Sequence, residues 1–185
     1  MEEENINEYR ENLEKSSEGI SQKQSWMKYL ALYTVIIAVI AAIASLASGS
    51  YSNEAVLEKN NAVLSQNKAS DQWNYYQAKG IKGVVSNAFY TQFHSQNFKD
   101  DGDKYRSEQA DIKKQAEQFQ KEAENADAKS ELYLKKHHKS AFAVTFFQIA
   151  IALSALSSLM KKRSFFFGSV LLSFAGLVFL ILGLI

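Results

Sequence analysis

The chain has 185 residues, and its 21 Lys and Arg against 20 Asp and Glu argue against a nucleic-acid binder, which normally shows a basic excess. It has no Cys, which excludes a disulfide framework, a thiolate metal site and a Cys nucleophile. It also has no Pro, the strongest helix breaker, and only eight Gly, a composition that favours long unbroken helices.

Residues 1–25 form a polar, acidic segment. Ile6, Tyr9 and Leu13 give it a thin apolar stripe, which predicts a short, weakly amphipathic helix. The acidic leader and the length of the apolar run behind it predict that no secretory signal is cleaved here. Residues 26–48 are the first expected transmembrane helix. Trp26, Tyr29 and Tyr33 mark its interfacial end, where amphipathic rings prefer to sit, and Lys28 can snorkel there. Ala38, Ala42 and Ser45 are candidates for close intramembrane packing, because small residues at this spacing let another helix approach.

Residues 49–139 read as an extramembrane antiparallel coiled-coil hairpin, continuous with the first two spans. In the outgoing arm Ala55, Ala62, Ala69 and Tyr76 recur every seven residues. In the returning arm Tyr105, Ile112, Phe119, Ala126 and Tyr133 do the same, with Ala116, Ala123 and Ser130 at the intervening seam. The turn is expected at His94 to Gly102, with Asp103 capping the next helix. Asp100, Asp101 and Asp103 lack the alternating spacing of a calcium loop, so they read as turn and cap.

Two further apolar runs of about 20 residues, 140–160 and 165–185, flank a basic turn at 161–164. Each is long enough to cross a hydrocarbon layer of ~30 Å at ~1.5 Å per residue. Gln148, Ser154 and Ser158 in the second span, and Ser169, Ser173 and Gly176 in the third, are further packing candidates. Gln148 and the serines could instead line a pore if several copies assemble. Lys161, Lys162 and Arg163 occupy a short loop, where the positive-inside rule is strongest. The expected topology puts that turn and the N-terminus in the cytoplasm and the hairpin outside. Lys135, Lys136 and Lys139, beside the second span, vote the other way. All six cations are candidates for lipid headgroup contact. Adjacent His137 and His138 point in different directions on a helix, so they do not suit one metal ion.

The string SDQWNYYQAKGIK (Ser70 to Lys82), with FQIAIALSAL, the KKR turn and the closing LLSFAGLVFLILGLI, resembles an uncharacterised family of small bacterial membrane proteins, of the domain-of-unknown-function kind. The resemblance covers nearly the whole chain from the first span onward. It implies a bacterial protein with three membrane spans, and supplies no activity, substrate or catalytic residue; the expected location is the inner membrane.

Gln72, Trp73, Tyr75, Tyr76, Lys79 and Lys82 are the densest cluster of specific side chains and the candidate interaction surface. Trp73 and Tyr76 are expected to pack on the returning arm. Tyr75, Lys79 and Lys82, on another face, are expected either to meet a neighbouring subunit or to be solvated. No catalytic, cofactor or metal set is expected: there is no phosphate loop, no zinc motif and no Ser/His/Asp constellation. The expected protein is an all-α membrane protein with three spans and a helical stalk. Its expected partners are the bilayer, further copies of itself and an unidentified protein, with no nucleic acid. Its expected role is a non-enzymatic, homo-oligomeric structural or interaction module. The alternative is an oligomeric channel with the hairpins as vestibule or gating levers.

Overall fold

The computed structural model describes the backbone from Glu2 to Ile185 and the side chains of Arg10 and residues 26–185. The stripe of Ile6, Tyr9 and Leu13 lies outside the described side chains. Among the described residues the chain is all α-helix, with no strand. Helix α1 runs Glu2–Phe93, α2 runs Gln96–Met160 and α3 runs Arg163–Leu184. All three contain stretches long and apolar enough to cross a membrane. The absence of Pro allows α1 and α2 their length.

The first turn is shorter than expected. Only His94 and Ser95 separate α1 from α2, so the helix begins at Gln96 and not at the expected Asp103 cap. Gly102 explains the difference. It lies inside α2 and is buried; a Cβ there would come within 3.0 Å of Asn87 Oδ1. It is a glycine of close helix approach, and no glycine has positive φ. The reversal is instead made by His94, at φ 52°, whose N–H donates to Tyr90 O at 2.8 Å. A left-handed residue after a helix end is the usual way to satisfy its last carbonyls. The second turn, at Lys161 and Lys162, has Lys161 at φ 54°.

The chain forms two compact units. One comprises Met1–Ser50 with Lys135–Ile185, the other Tyr51–Leu134. In the first, the three apolar stretches run antiparallel in sequence. Ile37, Ala41 and Ala44 of α1 and Ala143 and Phe147 of α2 form its core, with Tyr33, Phe179 and Leu180 packed against it. Buried Ser169, Ser173, Gly176 and Gly183 line the inner face of α3. In the second unit Ala55, Ala62 and Ala69 meet Ile112, Ala116, Ala123, Ala126 and Ser130 along the expected seam, all buried. Small seam residues let the helix backbones approach: Ser130 Oγ donates directly to Ala55 O at 2.8 Å. Each buried methyl contributes only about 0.8 kcal/mol, so this hairpin rests on many small contacts rather than a large core.

Candidate functional site

Hydroxyls join the three apolar helices. Tyr33 Oη shares hydrogen bonds with Ser173 Oγ at 2.6 Å and Ser169 Oγ at 3.1 Å. Ser169 Oγ also lies 2.7 Å from Ala150 O, and Ser173 Oγ donates to Ser169 O at 3.0 Å. Thr34 Oγ1 shares a bond of 2.6 Å with Ser154 Oγ and donates to Leu30 O at 2.8 Å. Each of these hydroxyls has a partner inside the chain. Ser154 and Ser169 are wholly buried, so these serines of α2 and α3 face the other helices of the same chain. Ser158 is half-buried at the edge. Ser157 is buried and donates to Lys162 O at 2.9 Å, which ties the end of α2 to the basic turn.

The small residues of the first apolar stretch fall on two faces. Leu30, Ile37, Ala41, Ala44 and Ser48 face inward. Ala38, Ala42 and Ser45 lie on the outer surface. The reason is Tyr33 and Thr34: to reach Ser173 and Ser154 they must lead the helix in with the 30/37/41/44/48 face. Gln148 also lies outside, on the exposed face of α2, and has no hydrogen-bond partner among the described residues.

At the other end of the apolar segments, Lys136 Nζ donates to Leu184 O at 3.2 Å and Lys139 Nζ to Leu182 O at 3.0 Å. Cations at a helix C-terminus complement its partial negative charge. His137 Nδ1 lies 2.9 Å from Ser48 O and 3.0 Å from Ser48 Oγ, linking the first two spans. Lys135, Lys161 and Lys162 are exposed, and the Arg163 guanidinium lies 5.8 Å from the Trp26 ring centroid. Among the described residues no three His, Asp or Glu side chains gather as a metal set.

In the hairpin unit Trp73 and Tyr76 stand edge to face, with ring centroids 5.6 Å apart. Gln109 Nε2 donates to Tyr76 O at 3.0 Å, and a Cβ at Gly80 would displace that amide. Gln72 is half-buried, whereas Tyr75 and Lys82 are exposed. Lys79 departs from the expected surface: its side chain is only 13% exposed. Its ammonium lies over the rings of Tyr75 and Tyr105 and pairs with Glu108 of the returning helix. Position 79 flanks the seam, and its long stem carries the charge across it. Lys79 is therefore held within the hairpin and is not displayed to a neighbour. The hydrogen-bonded pair holds the Glu108 carboxyl below its ordinary value and Lys79 above its own, against the opposing effect of burial. Elsewhere in the hairpin Lys59 bonds Asp127 at 2.5 Å, which raises the Lys59 value.

One further surface was not foreseen. Val56, Leu57, Val63 and Leu64 are 58%, 54%, 52% and 54% exposed. They repeat at seven-residue spacing beside the alanine seam. Next to them an open groove of about 280 Å³ is lined by Lys59, Ala62, Val63, Gln66, Asn67, Ala123, Glu124 and Asp127. The signal was present in the sequence, as Val-Leu pairs one heptad apart.

Residues 26–185 match the family described as a domain of unknown function, DUF4337, and the chain belongs to it. No curated protein and no solved structure matches the chain.

Proposed function

We propose that this DUF4337 member is a non-enzymatic, homo-oligomeric interaction module of the bacterial inner membrane, which holds its helical hairpin at the membrane surface for protein partners. One observation carries the reading: Val56, Leu57, Val63 and Leu64 lie uncovered on the Tyr51–Leu134 unit, beyond the apolar run of residues 26–48. Exposed aliphatic pairs of this kind, beside a groove that Lys59, Gln66 and Asn67 line, favour an association site. The hydroxyls that a pore would need are hydrogen-bonded inside one chain, which favours the module over a channel lined by them.

The test is native mass spectrometry of the full chain in nanodiscs of bacterial lipid. Two or more copies are expected, and a monomer at all concentrations would refute the homo-oligomer. A photo-crosslinker placed at Gln66 in cells should give one discrete adduct that Val63→Glu with Leu64→Glu abolishes. Adducts that survive the double substitution would refute this surface.

The topology belongs to the same proposal: N-terminus and residues 161–163 in the cytoplasm, hairpin outside. It is supported by the basic short turn, and by the engagement of Lys136 and Lys139 with the end of α3. The chain has no Cys, so Asp101→Cys provides a single thiol. An impermeant maleimide should label it in intact spheroplasts; protection until lysis would reverse the topology.

A further inference from the structure

Gln148 is a carboxamide set well inside the second span. It lies eight residues after Ser140 and twelve before Met160, hence ~12 Å and ~18 Å from the ends of its apolar run. Its side chain is too short to snorkel that far. It faces outward, with no hydrogen-bond partner among the described residues. Thr145, one turn away, also faces outward, but bonds back to Ala141 O at 3.0 Å. Gln148 has no such outlet, and lipid tails offer it none.

At 100° per residue, Ala141, Thr145, Gln148, Ala152, Ala155 and Leu159 form one stripe about 80° wide. It lies opposite the buried Ala143, Phe147, Ala150 and Ser154. The spacing alternates four and three, as a helix-pairing seam requires, and every residue but Gln148 and Leu159 is small.

We propose that Gln148 pairs with Gln148 of a second copy, across a two-fold axis along the bilayer normal that runs beside span two. This inference rests on the homo-oligomer reading above and assigns its intramembrane contact. The amide both donates and accepts, so it is complementary to itself. A two-fold contact brings the same residue to the same depth, and each carboxamide then donates N–H to the partner's carbonyl. Ala141, Thr145, Ala152 and Ala155 let the two helices come close enough for the amides to meet. Span one also has an outward small face, at Ala38, Ala42 and Ser45, but a serine hydroxyl can turn back to a carbonyl of its own helix, an outlet that a carboxamide lacks.

Single thiols in the Cys-free full chain test this. Ala152→Cys in nanodiscs is expected to form a disulfide-linked dimer under copper–phenanthroline, and Ala42→Cys to remain single. Adding Gln148→Leu to Ala152→Cys should weaken the monomer–dimer constant about tenfold, as loss of two intramembrane hydrogen bonds implies. Cross-linking unchanged by Gln148→Leu overturns the proposal. So does cross-linking through Ala42→Cys in place of Ala152→Cys. An oligomer by native mass spectrometry with neither site linked overturns this interface and leaves the homo-oligomer standing. A monomer overturns both.

Discussion

Gly176 sits under the largest buried side chain of the first unit. A Cβ at this position would lie 2.9 Å from Phe147 Cε1, 3.0 Å from Cδ1 and 3.2 Å from Cζ. Carbon atoms rest at about 3.5–4.0 Å, so Gly176→Ala requires the ring to retreat by roughly half an ångström or more. The ring has little room: Phe147 is 1% exposed and packs with Ile37, Ala41, Ala44 and Ala143. Overpacking of this kind costs about 1–3 kcal/mol, and the helix propensity of Ala returns up to about 1 kcal/mol. Gly168→Ala is the matched control, because its Cβ would meet only Leu153 Cδ1, at an ordinary 3.6 Å. Gly176→Ala should therefore be less stable than Gly168→Ala by about 1–3 kcal/mol. The assay is unfolding by SDS in mixed micelles, followed by Trp26 fluorescence in a Trp73→Phe background. Trp26 stands edge to face with Phe166 of α3, 6.4 Å away, and reports the separation of α1 from α3. Adding Phe147→Leu should narrow the gap between the two alanine variants. Equal stability of the two, or a more stable Gly176→Ala, would show that the ring is not confined as described.

Tyr33→Phe removes the hydroxyl that links α1 to Ser169 and Ser173 and should cost about 1 kcal/mol in the same assay. A cycle with Ser173→Ala should show coupling of ~0.5–1.5 kcal/mol, and strict additivity would deny the bond. His94→Gly should stabilise the hairpin by about 1 kcal/mol, because the left-handed backbone at His94 strains any residue with a Cβ; thermal melts of the full chain read this. The Lys79–Glu108 pair makes hairpin stability depend on pH in two windows. Glu108 is lowered on folding, so its contribution is present above about pH 4.3 and is lost as pH falls through its folded value. Lys79 is raised, so its contribution is present below about pH 10.4 and is lost as pH rises through its folded value. Lys79→Met should flatten the acid limb of hydrogen-exchange protection around Tyr105, and an unchanged limb would assign the acid loss to other carboxylates.

What could be read from the residues alone followed the strength of the periodic signal. The seams of Ala55/Ala62/Ala69 and Ile112/Ala116/Ala123 were legible because period seven places them on one face whatever else happens. The apolar stretches were legible from length. Which small face of span one turns inward was not, since Ala41, Ala44 and Ser48 compete with Ala38, Ala42 and Ser45 on equal terms. Long-range bonds from Tyr33 and Thr34 decide it, and no local pattern encodes those. Lys79 was misplaced because a Cβ direction does not say where a four-carbon stem ends. The turn was drawn too long because Gly102 and its aspartates imitate a loop, whereas the reversal is complete at His94 and Ser95, the start of the expected stretch.

The turn at His94 and Ser95 leaves no slack between two arms whose alanines interlock every seven residues. The hairpin therefore behaves as a ruler with fixed gradations. Removing one heptad from each arm shortens it by about 10 Å and restores every contact in the seam. Removing one from a single arm keeps the seam face but leaves the far ends of the two arms about 10 Å out of step. Variation in reach between versions of this protein should thus come in paired steps of seven, a periodicity of length that aligned sequences can reveal without any structure.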